Sequence, residues 1–180
     1  MMKITDLALP GVQLVESTRY DDSRGYFMEL FKEGELSEKL SGHPHFVQDN
    51  MSYSHKGVFR GMHRQLPPFA QAKMVRCLSG RILDIAMDVE PSSPTYGEVV
   101  SVELTPESGN ALFIPAHYAH GFLALEEGSC VQYKVDALYS PTSEDAHNYQ
   151  SQNILDLLQK YMSLDELIVS EKDLSAPRLK

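Results

Sequence analysis

Tryptophan is absent from the 180-residue chain, and cysteine occurs only twice, as Cys77 and Cys130. Two cysteines cannot lay a disulfide framework over a chain of this length. Each lies within an apolar run, which reads as a buried free thiol and a reducing compartment. No apolar run approaches the roughly 18 residues that a membrane-spanning helix requires. The opening segment, MMKITDLALPGVQ, carries one lysine and is interrupted by Pro10 and Gly11, so no secretory signal is expected there. Positive charge is in deficit: 16 Lys and Arg against 25 Asp and Glu give a net charge of −9, with the acidic residues scattered rather than blocked. That balance argues against nucleic-acid binding and for a soluble, cytoplasmic protein, while leaving room for a local cation cluster around a small anion. Internal repeats and low-complexity tracts are also missing, and the length suits a single domain spanning residues 1–180.

What is present is a succession of short β-like runs. The first 45 residues read as an arm with extended pieces between turn signals, plus a helical turn or two in GELSEKLSG. Residues 46–140 hold eight strand-like runs with no helix-period segment between them, the signature of a sandwich or barrel. CLSGRIL reads as a hairpin turning at Ser79-Gly80. Residues 141–180 form a helical tail, in which Ile154, Leu155, Leu158 and Met162 recur at helical spacing. Period-two reading puts Gln48, Asn50 and Ser52 on one mostly polar side, and Leu83, Ile85, Met87 and Val89 on an apolar side with Asp84 and Asp88 opposite. A polar face is either the wet outside of a sheet or the wall of a ligand-holding barrel, and periodicity leaves both open.

The stretch RGMHRQLPPFAQAKMVR concentrates Arg60, His63, Arg64 and Lys73 within residues 60–76. Cations beside an imidazole, the commonest general base near neutral pH, suit the handling of an anionic ligand. Strict alternation would turn Arg60 and His63 to opposite faces, and a bulge at Gly61 would bring both round. His117 and His120, and also His43 and His45, have spacings that metal sites use, but the nearby cations and the lack of a carboxylate at suitable spacing speak against a metal. Tyr133 and Tyr139 are proton donors or stacking platforms as readily as core residues. Asp173 could orient a histidine from a distance, which spacing alone does not decide.

Together, the strings DSRGYFMELF, FVQDNMSYSHKGVFRGMHRQLPPFAQAK, LFIPAHYAHGF, YKVDALYSP and SEKD resemble the dTDP-4-dehydrorhamnose 3,5-epimerases. The resemblance runs over about residues 8–144 and resumes at SEKD. It implies an all-β-dominated cupin jelly-roll barrel with short peripheral helices, one of them near the C-terminus, that dimerises and uses neither metal nor other cofactor. It also implies a ligand-filled barrel and a nucleotide-sugar substrate. By the same resemblance, His63 would be the base, Asp173 its orienting carboxylate, Tyr133 the proton donor and Lys73 the enolate stabiliser, with His120 nearby. Arg24, Glu29, Gln48, Asn50 and Arg60 would bind the sugar and diphosphate, some across a dimer. Tyr139 would stack on the base, and Glu144 and Lys172 would touch the ligand. The chain departs from the family pattern at Arg64, where an aromatic residue is usual, at Ala116-His117-Tyr118, and over residues 145–165, where tryptophan landmarks are missing. Those departures keep a mono-epimerase, acting on another nucleotide sugar, and a non-catalytic sugar-nucleotide-binding cupin as alternatives.

Overall fold

A computed structural model describes residues 2–179. In chain order the strands are β1 (Met2–Asp6), β2 (Gln13–Ser17), β3 (Arg19–Asp22), β4 (Gly25–Met28), β5 (Gln48–Ser54), β6 (Val58–Gln65) and β7 (Lys73–Ser79). They continue as β8 (Ile82–Asp88), β9 (Val99–Leu104), β10 (Asn110–Ile114), β11 (Tyr118–Ala124), β12 (Ser129–Val135), β13 (Glu144–Ala146) and β14 (Ile168–Val169). Two short helices, α1 (Gln152–Leu158) and α2 (Glu171–Ser175), lie in the C-terminal segment. No helix among the described residues is long and apolar enough to cross a membrane.

The strands form two sheets, ordered β1-β2-β10-β7-β12-β5 and β13-β6-β11-β8-β9, with β14 added in parallel to β6. From β5 to β13 every connection crosses from one sheet to the other, except that β8 and β9 pair directly. This wrapping is that of a jelly roll, built as two facing sheets rather than one closed ladder. β3 and β4 pair only with each other, as a separate ribbon.

The wrapping corrects the reading of CLSGRIL. β7 pairs with β10 and β12, and β8 with β11 and β9, so Ser79-Gly80 turns the chain between sheets and makes no hairpin. Gly80 has φ +71°, and a Cβ there would lie 2.7 Å from Ser129 Oγ. Turn residues specify that the chain reverses; the burial of the flanking strands decides which sheet it enters.

The apolar core lies in three layers. Between the sheets, Val75, Leu112, Ile114 and Val131 meet Ile82, Ala86, Phe122 and Ala124. Asp84 shares this inward face, so the aspartate-bearing side of β8 points to the interior. Its wholly apolar side, with Leu83, Ile85 and Met87, packs outward beneath Ile154 and Leu158 of α1. On the outside of the other sheet, Leu36 and Leu40 cover Val15, Met74 and Phe113. They descend from GELSEKLSG, where Glu38 N–H bonds to the Gly34 carbonyl and Leu40 N–H to that of Leu36. Met62, buried on the outer side of β6, extends the α1 layer. Cys77 and Cys130 are free thiols.

Leu158, the last residue of α1, is fully buried. Leu158→Ala is expected to lower stability by about 2–5 kcal/mol, the range for deleting a buried leucine side chain. Urea unfolding followed by far-UV circular dichroism measures it, and a change near zero would mean that the α1 layer contributes nothing to the fold.

Candidate active site

Between the sheets the apolar packing gives way to a polar cavity of about 390 Å³, within the range of small-molecule sites. One wall carries Asn50 from β5, Lys73 from β7 and Tyr133 from β12; the other carries Arg60 and His63 from β6 and His120 from β11. Ser170, Lys172 and Asp173, at the start of α2, close one end.

A local irregularity puts Arg60 and His63 on the same wall. His63 pairs with His120 and Arg60 with Phe122, so three steps along β6 match two along β11. The additional residue on β6 is absorbed at Gly61, whose φ is +131°. A Cβ at Gly61 would approach the His120 carbonyl to 2.8 Å, so the two strands can close here only over glycine. The bulge expected from the RGMH string is thus present. It turns Met62 into the outer core while the Arg60 and His63 side chains both face the cavity.

His63 Nε2 lies 2.8 Å from Asp173 Oδ1. A carboxylate only accepts, so Nε2 carries the hydrogen and Nδ1 is left as the basic nitrogen of the neutral ring. Asp173 is 4% exposed. Its Oδ2 accepts the Gly61 N–H at 3.3 Å, and its own N–H bonds to Ser170 Oγ, which caps α2. Burial alone would raise this carboxyl, yet the hydrogen bond and charge of His63, with the Gly61 and Ser170 bonds, hold it below the usual carboxylate value. The ionised form is therefore the resting one.

Burial lowers Lys73 to about 8, although Asp136 and Asp84 favour its charge. Its ammonium donates to the His63 carbonyl at 3.3 Å. Burial likewise drives the Tyr133 phenol well above its ordinary value, against a 3.0 Å hydrogen bond with Ser52. The Tyr133 ring stands edge-on to His120, with centroids 5.8 Å apart. His120 Nε2 in turn lies 2.7 Å from Asp84 Oδ1. Asp84 is fully buried and pushed upward by desolvation, opposed by His120 and Lys73.

At the rim, Lys172 Nζ donates to Glu144 at 2.6 Å, and the Tyr139 hydroxyl reaches the other oxygen of Glu144 at 3.4 Å. Gln48 accepts from the Tyr139 N–H and donates to Asn50 Oδ1 at 2.8 Å. The structure therefore gathers His63, Lys73, Tyr133, Asp173, Asn50, Arg60, His120 and Lys172 around the cavity, with Gln48, Tyr139 and Glu144 linked at its edge. It does not bring Arg24 or Glu29 there. Arg24 lies at the tip of the β3–β4 ribbon, exposed and paired with Asp22, and Glu29 borders a separate cleft with Lys32 and Lys39. Within one chain the ribbon pairs with neither sheet, and so these two side chains remain apart from the cavity.

Two partners escaped the sequence reading. Asp84 was legible as an aspartate in an otherwise apolar strand, but only the sheet pairing shows that its face is inward. Ser52 was placed on the polar side of its strand with no role. His117 does not join His120, since its ring lies against Tyr118 at 4.1 Å while His120 bonds to Asp84. Among the described residues no three His, Cys, Asp or Glu side chains converge as a metal site. Arg64, the departure next to His63, turns away from the cavity to Asp145 (2.7 Å), Glu90 (3.2 Å) and the His117 carbonyl (2.9 Å).

The model for the dTDP-4-dehydrorhamnose 3,5-epimerase family matches residues 6–180. A dTDP-4-dehydrorhamnose 3,5-epimerase of Sinorhizobium fredii is 39% identical over 179 residues, covering 99% of this chain and 90% of that protein. The crystal structure of dTDP-4-dehydrorhamnose 3,5-epimerase from Elizabethkingia anophelis superposes with a TM-score of 0.89 at 37% identity, over 98% of this chain and 96% of that one. A Legionella pneumophila dTDP-6-deoxy-D-glucose-3,5-epimerase, solved in complex with dTDP-4-keto-L-rhamnose, gives 0.90 at 35% identity, over 99% of this chain and 93% of that one.

The lowered Lys73 has a consequence for stability. Between about 8 and the ordinary lysine value of 10.5 the unfolded chain holds a proton that the folded chain has released. Stability should therefore rise with pH across that window, and Lys73→Met should flatten the slope. Urea unfolding at a series of pH values from 7.5 to 10.5 tests this; an identical slope in the variant would place the proton release elsewhere.

Proposed function

The chain belongs to the dTDP-4-dehydrorhamnose 3,5-epimerase family, and from that membership we propose that its cavity converts dTDP-4-dehydro-6-deoxyglucose to dTDP-4-dehydrorhamnose by inverting carbons 3 and 5. The observation that supports the reading is that a histidine and a tyrosine face each other from opposite walls. His63 projects from one sheet and Tyr133 from the other. A flat sugar ring between them meets a proton acceptor on one face and a donor on the other, which inversion requires.

In this reading the ketone acidifies the C–H bonds beside it, so no cofactor enters. Nδ1 of His63 takes the proton, and Asp173 holds the ring in position and stabilises the imidazolium that forms. Charge moves to the ketone oxygen, where Lys73 and His120 receive it; preset charges in a dry pocket supply the larger share of such stabilisation. Tyr133, kept protonated by burial, then delivers its proton to the opposite face. Each positioned acid or base contributes roughly 10²–10⁴-fold.

Arg60, Lys172, Gln48 and Asn50 bind the diphosphate end, Glu144 holds Lys172, and the half-exposed ring of Tyr139 stacks on the nucleotide base. Arg24 and Glu29 serve the cavity of a partner subunit in a cytoplasmic homodimer. Supporting this, the ribbon that bears Arg24 pairs with neither sheet of its own chain and carries Phe27, which is 67% exposed.

Proton NMR with the dTDP-linked 4-keto sugar in deuterium oxide tests the reaction directly. Deuterium is expected at carbons 3 and 5, with rhamno-configured product, and exchange at one carbon alone would make this a mono-epimerase. His63→Ala should reduce exchange at both positions by about 10²-fold or more, and normal turnover in that variant would remove His63 from the role of base.

The shared site has a separate test. His63→Ala and Arg24→Ala chains, each weak alone, should recover about a quarter of wild-type activity on mixing, because half of the dimers are mixed and each rebuilds one of its two sites. No recovery in a demonstrably mixed dimer would confine Arg24 to its own chain.

A further inference from the structure

Ser52 lies on β5, the last strand of its sheet, and is partly exposed. β5 pairs Val131 with Ser52 and Asn50 with Tyr133, so Ser52 and Tyr133 are diagonal neighbours on the cavity-facing side. Their hydroxyls stand 3.0 Å apart, and either can be the donor. The same face of β5 offers Gln48 and Asn50 on one side of Ser52, and Ser54, which accepts from Arg60 Nε at 3.1 Å, on the other. Among the described residues Ser52 is the side chain that bonds to the Tyr133 hydroxyl. It is a small hydroxyl at a sheet edge, touching the phenol that lines the cavity.

Inversion by two residues leaves the enzyme in the wrong protonation state. His63 Nδ1 takes the carbon-bound proton while the C–H electron pair enters the enolate. The enolate then forms a new C–H bond with the phenol's proton, leaving an imidazolium and a phenolate. Before a second carbon can be inverted in the same way, the imidazolium must lose a proton and the phenolate must gain one. His63 and Tyr133 line the same cavity, and Tyr133 has in addition a hydroxyl neighbour, Ser52, at the partly exposed β5 edge.

We propose that Ser52 is the phenolate's route to a proton: its hydroxyl positions the phenol and returns a solvent proton to Tyr133 after each inversion. Ser52 Oγ–H passes its proton to the phenolate oxygen as Oγ takes another from a water at the β5 edge. The hydroxide left behind is neutralised by the proton that His63 releases, so each cycle is proton-neutral. Hydroxyl groups do this readily because one oxygen both donates and accepts. The inference rests on Tyr133 being the proton donor, and it adds a step that the chemistry at carbon does not reveal. It also assigns work to the polar side of β5 beyond ligand binding.

The experiment is single- and multiple-turnover analysis of Ser52→Ala and Ser52→Thr with the dTDP-linked 4-keto sugar, resolving singly from doubly inverted product by NMR. Slow reloading of Tyr133 should let the once-inverted sugar escape. In Ser52→Ala the ratio of singly to doubly inverted product is expected to rise about tenfold and kcat for the double inversion to fall by a similar factor, with KM within about twofold. Ser52→Thr, which keeps the hydroxyl, is expected to restore the partition to within about threefold. A wild-type partition in Ser52→Ala would overturn the proposal, as would an equal loss of both products or a threonine variant as impaired as alanine, since these mark a packing role. Tyr133→Phe is run alongside: normal inversion there would sink the assignment of Tyr133 itself rather than the relay.

Discussion

A carboxylate removed from water must be met by donors, and at Asp173 that demand joins three separate parts of the fold. Its oxygens take the His63 ring at 2.8 Å and the Gly61 N–H at 3.3 Å, while its backbone N–H closes the cap on Ser170. Removing any of these donors would leave a carboxylate oxygen short of a partner in a site closed to most solvent, which is costly. Helix α2, the bulge in β6 and the imidazole are therefore fixed relative to one another by one side chain more than a hundred residues from its partner in sequence.

The bulge is the second half of that constraint. An unbroken β6 would aim Arg60 and His63 to opposite sides, and one of them would enter the outer core with Phe59. The one-residue mismatch at Gly61 resolves this, and Gly121 opposite it has no Cβ to obstruct the approach. Around this wall the burial that raises Tyr133 and lowers Lys73 follows from the same geometry: both face the cavity between the sheets. A phenol that resists ionisation and an ammonium that is close to releasing its proton are thus set by one environment.

Outside the cavity the apolar layers perform the more ordinary work of holding the sheets. The outward face of β8 is its more hydrophobic one, and α1 exists to cover it. The inner face tolerates Asp84 because His120 and Lys73 accompany it. The space between the sheets is thus apolar over one part and polar around the cavity.

Composition and local pattern determined a good deal by themselves. The lack of helix-period segments in residues 46–140, the turn residues between short runs, and the helical spacing of Ile154, Leu155, Leu158 and Met162 specified an all-β body with a helix near its end. These are near-neighbour properties of the chain, set by backbone sterics and by which side of a strand or helix is apolar. The cation-rich stretch around His63 and the bulge at Gly61 were legible for the same reason. Pairing was not legible. Ser79-Gly80 announced a reversal but not that the chain changes sheets, and the alternation in β8 showed two faces without showing which was inside. Nor could spacing bring Asp173 to His63, Asp84 to His120 or Ser52 to Tyr133, and it could not show that Arg24 and Glu29 stand away from their own cavity. Those choices belong to the tertiary structure because they depend on contacts between segments distant in sequence. There, the free energy of burying a charge or an aromatic ring is decided by what the rest of the chain places beside it.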